Sequence, residues 1–214
     1  MKTKRLGLIA GLVLAVAANS ALAVEKMRLG HGLPEDHAVH KAVVKFADLV
    51  RERSNGEIDI KIFSNGVLGG EREMLEQVQN GALDITKASA SPLETFSADY
   101  KVFNLPFVFR DRAHFFKVLE SPVGEAILAS SKKSGFIGLA YYDSGSRSFY
   151  GKKPINTPDD IKGSKIRVQQ SPTTIKMIQA LGATPTPMAW GEVYSALQMG
   201  VVDGAENNVT ALTN

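Results

Sequence analysis

The spacing of apolar residues changes repeatedly along this chain, and each change marks a new element. From Ala38 to Arg53, Val39, Val43, Phe46, Ala47 and Val50 recur at helical intervals, and Asn55-Gly56 then supplies a left-handed stop. From Glu57 to Phe63 the pattern becomes strict alternation, with Ile58, Ile60 and Ile62 on one side, as in a strand with one buried face. Glu71 to Gln79 predicts a helix carrying Met74, Leu75 and Val78, closed by Asn80-Gly81, and Leu83 to Ala90 the strand after it. Phe136 to Tyr142 predicts a further apolar strand. Thr157-Pro158-Asp159-Asp160 and Ser171-Pro172 each pair a cap with a first-turn proline, the second opening a helix that bears Ile175, Ile178 and Leu181 and stops at Gly182. Trp190 to Met199 predicts another helix.

Repeated strand-helix-strand order predicts an α/β fold with parallel sheets and right-handed crossovers. The elements fall into two groups separated near Asp143-Ser144-Gly145-Ser146, which is the expected hinge. In open sheets of this kind ligands sit beyond the carboxyl ends of strands.

The chain starts with Lys2, Lys4 and Arg5, an apolar stretch from Leu6 to Ala18, and then Ala21-Leu22-Ala23, the small-x-small pattern of a signal-peptidase site. A signal peptide over residues 1–23, cut after Ala23, is therefore expected, and with it export to the periplasm. The apolar stretch is short for a membrane span, and no later one approaches the roughly 20 apolar residues a spanning helix needs. Removing these three cations lowers Lys+Arg from 25 to 22, equal to the 22 Asp+Glu. A mature chain of zero formal charge, with no run of basic residues, argues against nucleic acid as a partner. Cysteine is absent, which excludes disulfides, thiolate metal sites and cysteine nucleophiles.

Candidate chemistry centres on two arginines. Arg167 stands in Gly163-Ser164-Lys165-Ile166-Arg167-Val168, where a buried strand should be apolar, and Arg147 follows Gly145-Ser146. A guanidinium fork suits carboxylate oxygens, so an arginine there implies an anionic partner, either a ligand or an internal Asp or Glu. Lys87, in the small and apolar Thr86-Lys87-Ala88-Ser89-Ala90, would add a cation or a hydroxyl donor to a cleft, or lie solvated at an edge. Glu73, in Glu71-Arg72-Glu73, would accept from ligand hydroxyls, although acids in a first turn also complement the helix dipole. His37 and His40 stand one turn apart near His31, Glu35 and Asp36, but no well-spaced third ligand completes a metal site. No nucleophile, base and orienter are grouped, and no cofactor motif is present.

Three runs carry a resemblance to a known family: Lys152 to Val168, Leu181-Gly182-Ala183-Thr184-Pro185-Thr186-Pro187-Met188-Ala189-Trp190-Gly191-Glu192-Val193-Tyr194, and Leu197 to Asn208 with Asp203-Gly204-Ala205-Glu206-Asn207-Asn208. From about Met27 to its end the chain resembles the DctP-type solute-binding subunits of tripartite ATP-independent periplasmic (TRAP) transporters. The resemblance implies a two-lobe periplasmic-binding-protein-like fold with a ligand cleft between the lobes. Residues 24–143 would form the first lobe, 144–208 the start of the second, and 209–214 the start of a crossover back. Family members run on for roughly another hundred residues, so the chain is expected to be truncated at its C-terminus.

The resemblance also implies that Arg167 forms a bidentate pair with a ligand carboxylate. Arg147 and Asn207 would add hydrogen bonds, Trp190 would line the pocket, and His37 would bond ligand or backbone at the mouth of the first lobe. Where sialate-binding members carry an acid, this chain has Ser89, and its site runs look most like those of members that bind hexuronates such as glucuronate or galacturonate, which places sialate below hexuronates, with C4 dicarboxylates or keto acids as further options. The expected function is thus that of a monomeric periplasmic receptor, not an enzyme, handing a small organic acid to TRAP membrane permease subunits. A secreted enzyme acting on acidic sugars, or the ligand-sensing domain of a receptor, remains as an alternative.

Overall fold

The computed structural model describes residues 24–213, so the expected signal peptide and its cleavage after Ala23 lie outside the described residues. Two sheets organise the rest. In the first, β1 (Glu25–Gly30) lies between β2 (Ile58–Phe63) and β3 (Ile85–Thr86), all parallel. The helix α1 (Ala38–Arg53) crosses from β1 to β2, and α2 (Glu71–Gln79) from β2 to β3, with the bounds that hydrophobic spacing predicts. Asn55 and Gly56 take φ of 51° and 82°, the left-handed conformation that ends α1. Val39, Val43 and Ala47 on one face of α1 pack on Leu29 and Ile60 to form the core of this half.

The second sheet has the order β4 (Arg147–Gly151), β7 (Gly204–Asn208), β5 (Lys165–Val168), β6 (Thr184–Pro187). The helix α6 (Pro172–Ala180) connects β5 to β6, and α7 (Trp190–Gln198) connects β6 to β7. Ser171 caps α6 by accepting from Thr174 N, as the Ser-Pro pair predicts. Ile166 and Val168 of β5 meet Ile178 of α6, Ile161 and Ala183 in a second core. The expectation of wholly parallel sheets is corrected at β4, which runs antiparallel to β7. It is entered directly from residues 143–146 and not through a helical crossover, so nothing forces it parallel.

Two expected strands are also corrected. Of Leu83–Ala90 only Ile85–Thr86 is strand, because β1, its neighbour, ends at Gly30 opposite Thr86. Beyond Lys87, whose N–H still reaches Gly30 O, the chain turns into a short helix, α3 (Ala90–Leu93). Phe136–Tyr142 has apolar content but no ladder partner among the described residues. It packs instead through side chains, with Phe136 edge-on to Phe96 and the Tyr141 hydroxyl donating to Gly124 O at 2.7 Å. Between α3 and this segment lie a 3-10 turn (Ala98–Asn104), α4 (Arg112–Leu119) and α5 (Pro122–Ser130).

Candidate functional site

A large cleft lies between the two sheets, lined from both sides. Arg167 is its most unusual element. The side chain rises from an inner strand of the second sheet and is 1% exposed, yet among the described residues it forms no salt bridge. Its Nε and Nη2 both donate to the Met188 carbonyl, at 3.2 and 2.8 Å, and its guanidinium lies 5.9 Å from the Trp190 ring centroid. Among the described residues, Arg167 Nη1 is the one buried side-chain nitrogen or oxygen without a hydrogen-bond partner. Burial lowers the Arg167 pKa and nearby Glu206 opposes that shift, while an arginine stays charged at neutral pH. A buried cation that lines a cleft and keeps an unsatisfied donor is chemically able to take an anion there.

Arg147 follows the other reading of a strand arginine. It stands opposite Asn208, which makes Glu206 a diagonal neighbour within reach of a long side chain. Its Nε and Nη2 grip the Glu206 carboxylate, Nη2 also reaches Glu206 O at 2.9 Å, and Nη1 donates to Asn207 Oδ1 at 2.9 Å. Asn207 Oδ1 accepts from Asn208 N as well, so its amide donor end remains for a ligand. Arg147 and Asn207 both line the cleft, but Arg147 is paired with a protein carboxylate where Arg167 is held by a carbonyl alone.

The opposite wall comes from α2 and the segment after β3. Glu71, the first residue of α2, accepts from Ser89 Oγ at 3.0 Å and Lys87 Nζ at 3.4 Å, and all three line the cleft. The structure thus places Lys87 and Ser89 where a ligand could meet them. It does not place Glu73 there: that side chain is exposed and absent from the cleft lining. Two residues along a helix is a rotation of about 200°, so Glu71 and Glu73 leave α2 on opposite sides, and the Glu73 side chain folds back on Gly69 and Gly70. Trp190, at the start of α7, lines the cleft, and the Arg167 guanidinium lies over its ring.

His37 reaches the cleft edge as the N-cap of α1, where Nδ1 accepts from Val39 N at 3.1 Å. Burial and nearby Lys87 lower its pKa. His31, at the end of β1, is fully buried; its Nδ1 accepts from Leu33 N, so Nε2 carries the proton and donates to His40 Nδ1 at 3.0 Å. Burial first, then His40 and Lys87, lower the His31 pKa to about 4. The folded state therefore refuses a proton that the unfolded chain accepts near the ordinary 6.5. Stability is expected to fall as pH drops from 6.5 towards 4 and to gain nothing from this group above that window. Urea midpoints at pH 7.5 and 4.5 should show a smaller fall in His31→Asn than in wild type; equal falls would remove His31 as the cause.

Spacing and composition did not pick out Glu71, Glu206 or the Met188 carbonyl. Glu71 was signalled only by its place in the first turn of α2, and Glu206 only by the Asp203–Asn208 run.

Residues 29–214 match the DctP family, bacterial extracellular solute-binding protein family 7. The chain is 47% identical over 166 residues to the uncharacterized protein YiiZ of Salmonella typhimurium, covering 77% of this chain and 51% of that one. Among solved structures it resembles a TRAP periplasmic solute-binding protein from Xanthobacter autotrophicus with bound β-D-galacturonate (46% identity, TM-score 0.83, covering 85% of this chain and 61% of the other). It also resembles one from Anaerococcus prevotii with bound D-glucuronate (40% identity, TM-score 0.85, covering 88% and 62%). The chain thus spans between half and two thirds of the length of these relatives. The family match covers nearly all of the described residues, and the crystallised relatives share the fold: this chain belongs to the DctP family of bacterial extracellular solute-binding proteins.

Proposed function

We propose that the chain is the receptor of a TRAP transporter in the periplasm, binding a hexuronate such as galacturonate or glucuronate between its two halves and delivering it to membrane permease subunits. No covalent step is involved. The observation that carries this reading is the Arg167 guanidinium. A guanidinium has two edges that can take a carboxylate with two parallel hydrogen bonds. The Met188 carbonyl occupies the Nε/Nη2 edge, which leaves the Nη1/Nη2 end for the ligand. Asn207 would add its amide donor, and the Trp190 ring, 5.9 Å from the guanidinium, adds a cation–π contact.

The other wall suits the rest of a sugar acid. Glu71 offers acceptors, and Lys87 and Ser89 offer donors, so ring hydroxyls find both kinds of partner there. An acid without hydroxyls would take water from these groups and leave the bonding capacity beyond their mutual contacts unmet, which penalises it against a uronate. The two crystallised relatives hold uronates, in line with this reading. Closure would bend the chain near residues 143–146, where it passes from one sheet to the other, and a ligand touching both walls would favour the closed form.

The test is a thermal-shift screen of the full-length protein against hexuronates, aldonates, sialate, C4 dicarboxylates and keto acids, followed by calorimetry on the hits. A tight ligand raises the midpoint by mass action. A shift with galacturonate or glucuronate well above that with succinate is the expected result. A preference for a dicarboxylate would overturn the hexuronate assignment, and no shift with any acid would overturn the site.

A further inference from the structure

We propose that Glu94 is a closure residue: carried by the first-sheet half, its carboxylate grips the N-terminus of α6 in the second-sheet half and sets how tightly the cleft holds a ligand that Glu94 does not touch. Glu94 directly follows α3. Its Oε1 accepts from Thr173 N at 2.9 Å and Thr173 Oγ1 at 2.7 Å. Its Oε2 accepts from Ser171 Oγ and from Asn104 Nδ2, both at 2.7 Å.

The chemistry at α6 explains why an acid suits this place. The first turn of a helix has N–H groups with no partner in the helix and a positive dipole end. Pro172 brings no N–H, Ser171 Oγ accepts from Thr174 N, and Thr173 N is left for Glu94. One orphan donor of a second-half helix is therefore satisfied from the other half. Burial of the carboxyl raises its pKa, but the bonds from Thr173, Ser171 and Asn104 outweigh this and hold it below the usual range, so the bonds are charge-assisted at neutral pH.

The first half prepares Glu94 for this contact. Asn104 donates to it and to Ala90 O, and is itself held by Ser91 Oγ at 2.8 Å. Separating the halves would cost Glu94 the bonds to Ser171 and Thr173 and leave Asn104 in place. The contact also lies at the rim of the cleft: Leu93 on one side, and Gln169, Gln170 and Thr174 on the other, line it. Ser171 is four residues beyond Arg167 on the same strand-to-helix connection. A contact made only when the halves meet adds to the closed form alone, and so enters the affinity of any ligand that requires closure.

The binding arm of the test rests on the uronate reading above; the ligand-free arm does not. In the full-length protein, Glu94→Gln and Thr173→Val are each expected to raise the Kd for D-galacturonate and D-glucuronate roughly tenfold to a hundredfold, the range for losing hydrogen bonds to a charged group. The change should appear in the dissociation rate. The double variant should fall short of the sum of the two single effects, because the Thr173 Oγ1 bond that one variant deletes is among those that the other weakens. Folded variants with wild-type Kd, or two effects that add in full, would overturn the proposal. Spin labels on Lys45→Cys and Lys176→Cys, one in each half and both at exposed positions, report the distance between halves, and residues 1–214 contain no cysteine that would compete for the label. Without ligand, Glu94→Gln should deplete the short-distance population; an unchanged distribution would show a brace within a fixed arrangement and sink the idea even if neither uronate binds.

Discussion

Arg167→Ala is expected to abolish measurable high-affinity uronate binding, weakening it by about 2–5 kcal/mol, the range for truncating one partner of a buried charge pair. The unliganded protein should tolerate the change far better than its burial suggests. Among the described residues Arg167 forms no salt bridge, and it carries an unsatisfied nitrogen, so folding gains little from the charge, and Met188 O is the acceptor that loses partners. Arg167→Lys should also bind poorly, because an ammonium can neither hold the Met188 carbonyl with one edge nor present a planar fork with the other. Calorimetry gives the affinity and urea unfolding the stability. An Arg167→Ala protein that binds uronates like wild type would refute the site. One that binds poorly only because it is unfolded would move Arg167 into the scaffold.

Glu206→Ala should produce the opposite pattern, a large loss of stability. Glu206 is 5% exposed and accepts a fork from Arg147, with Arg167 close enough to be influenced by its charge. Removing it leaves two cations near each other with no acid between them. Breaking a buried pair costs about 3–5 kcal/mol, and the lower end applies because the Arg147 side chain is a third exposed and water can reach it. Glu206→Gln should lose less, since an amide oxygen keeps one bond. A double-mutant cycle with Arg147→Ala, followed by urea unfolding, isolates the pair. A coupling energy near zero would mean that Arg147 is free to serve the ligand alone, as its resemblance-based role has it.

These two arginines show where sequence reasoning stops. Both sit at strand positions, both have a carboxylate partner as the simplest reading, and nothing local separates them. The separation comes from the register of β4 on β7, which puts Glu206 diagonally beside Arg147, and from the turn after β6, which offers Arg167 a carbonyl and no acid. Glu71 and Glu73 are a similar case. Either could serve from the first turn of α2, and only the rotation of that helix against the first sheet decides that Glu71 meets Lys87 and Ser89.

By itself the sequence determined the elements whose cause is local: α1, β2, α2, α6 and α7 follow from apolar spacing, capping residues and left-handed glycines, within a residue or so of where they lie. It also determined the family, because three runs in fixed order are a specific signal. What only the tertiary structure decided has a non-local cause. A strand exists where another strand lies beside it, so Leu83–Ala90 shrank to two residues and Phe136–Tyr142 gained none, although their side chains suit a sheet. A buried charge is satisfied or left free according to which groups the fold brings to it. That is why the unpaired nitrogen of Arg167, and the reach of Glu94 across to α6, were absent from the one-dimensional pattern.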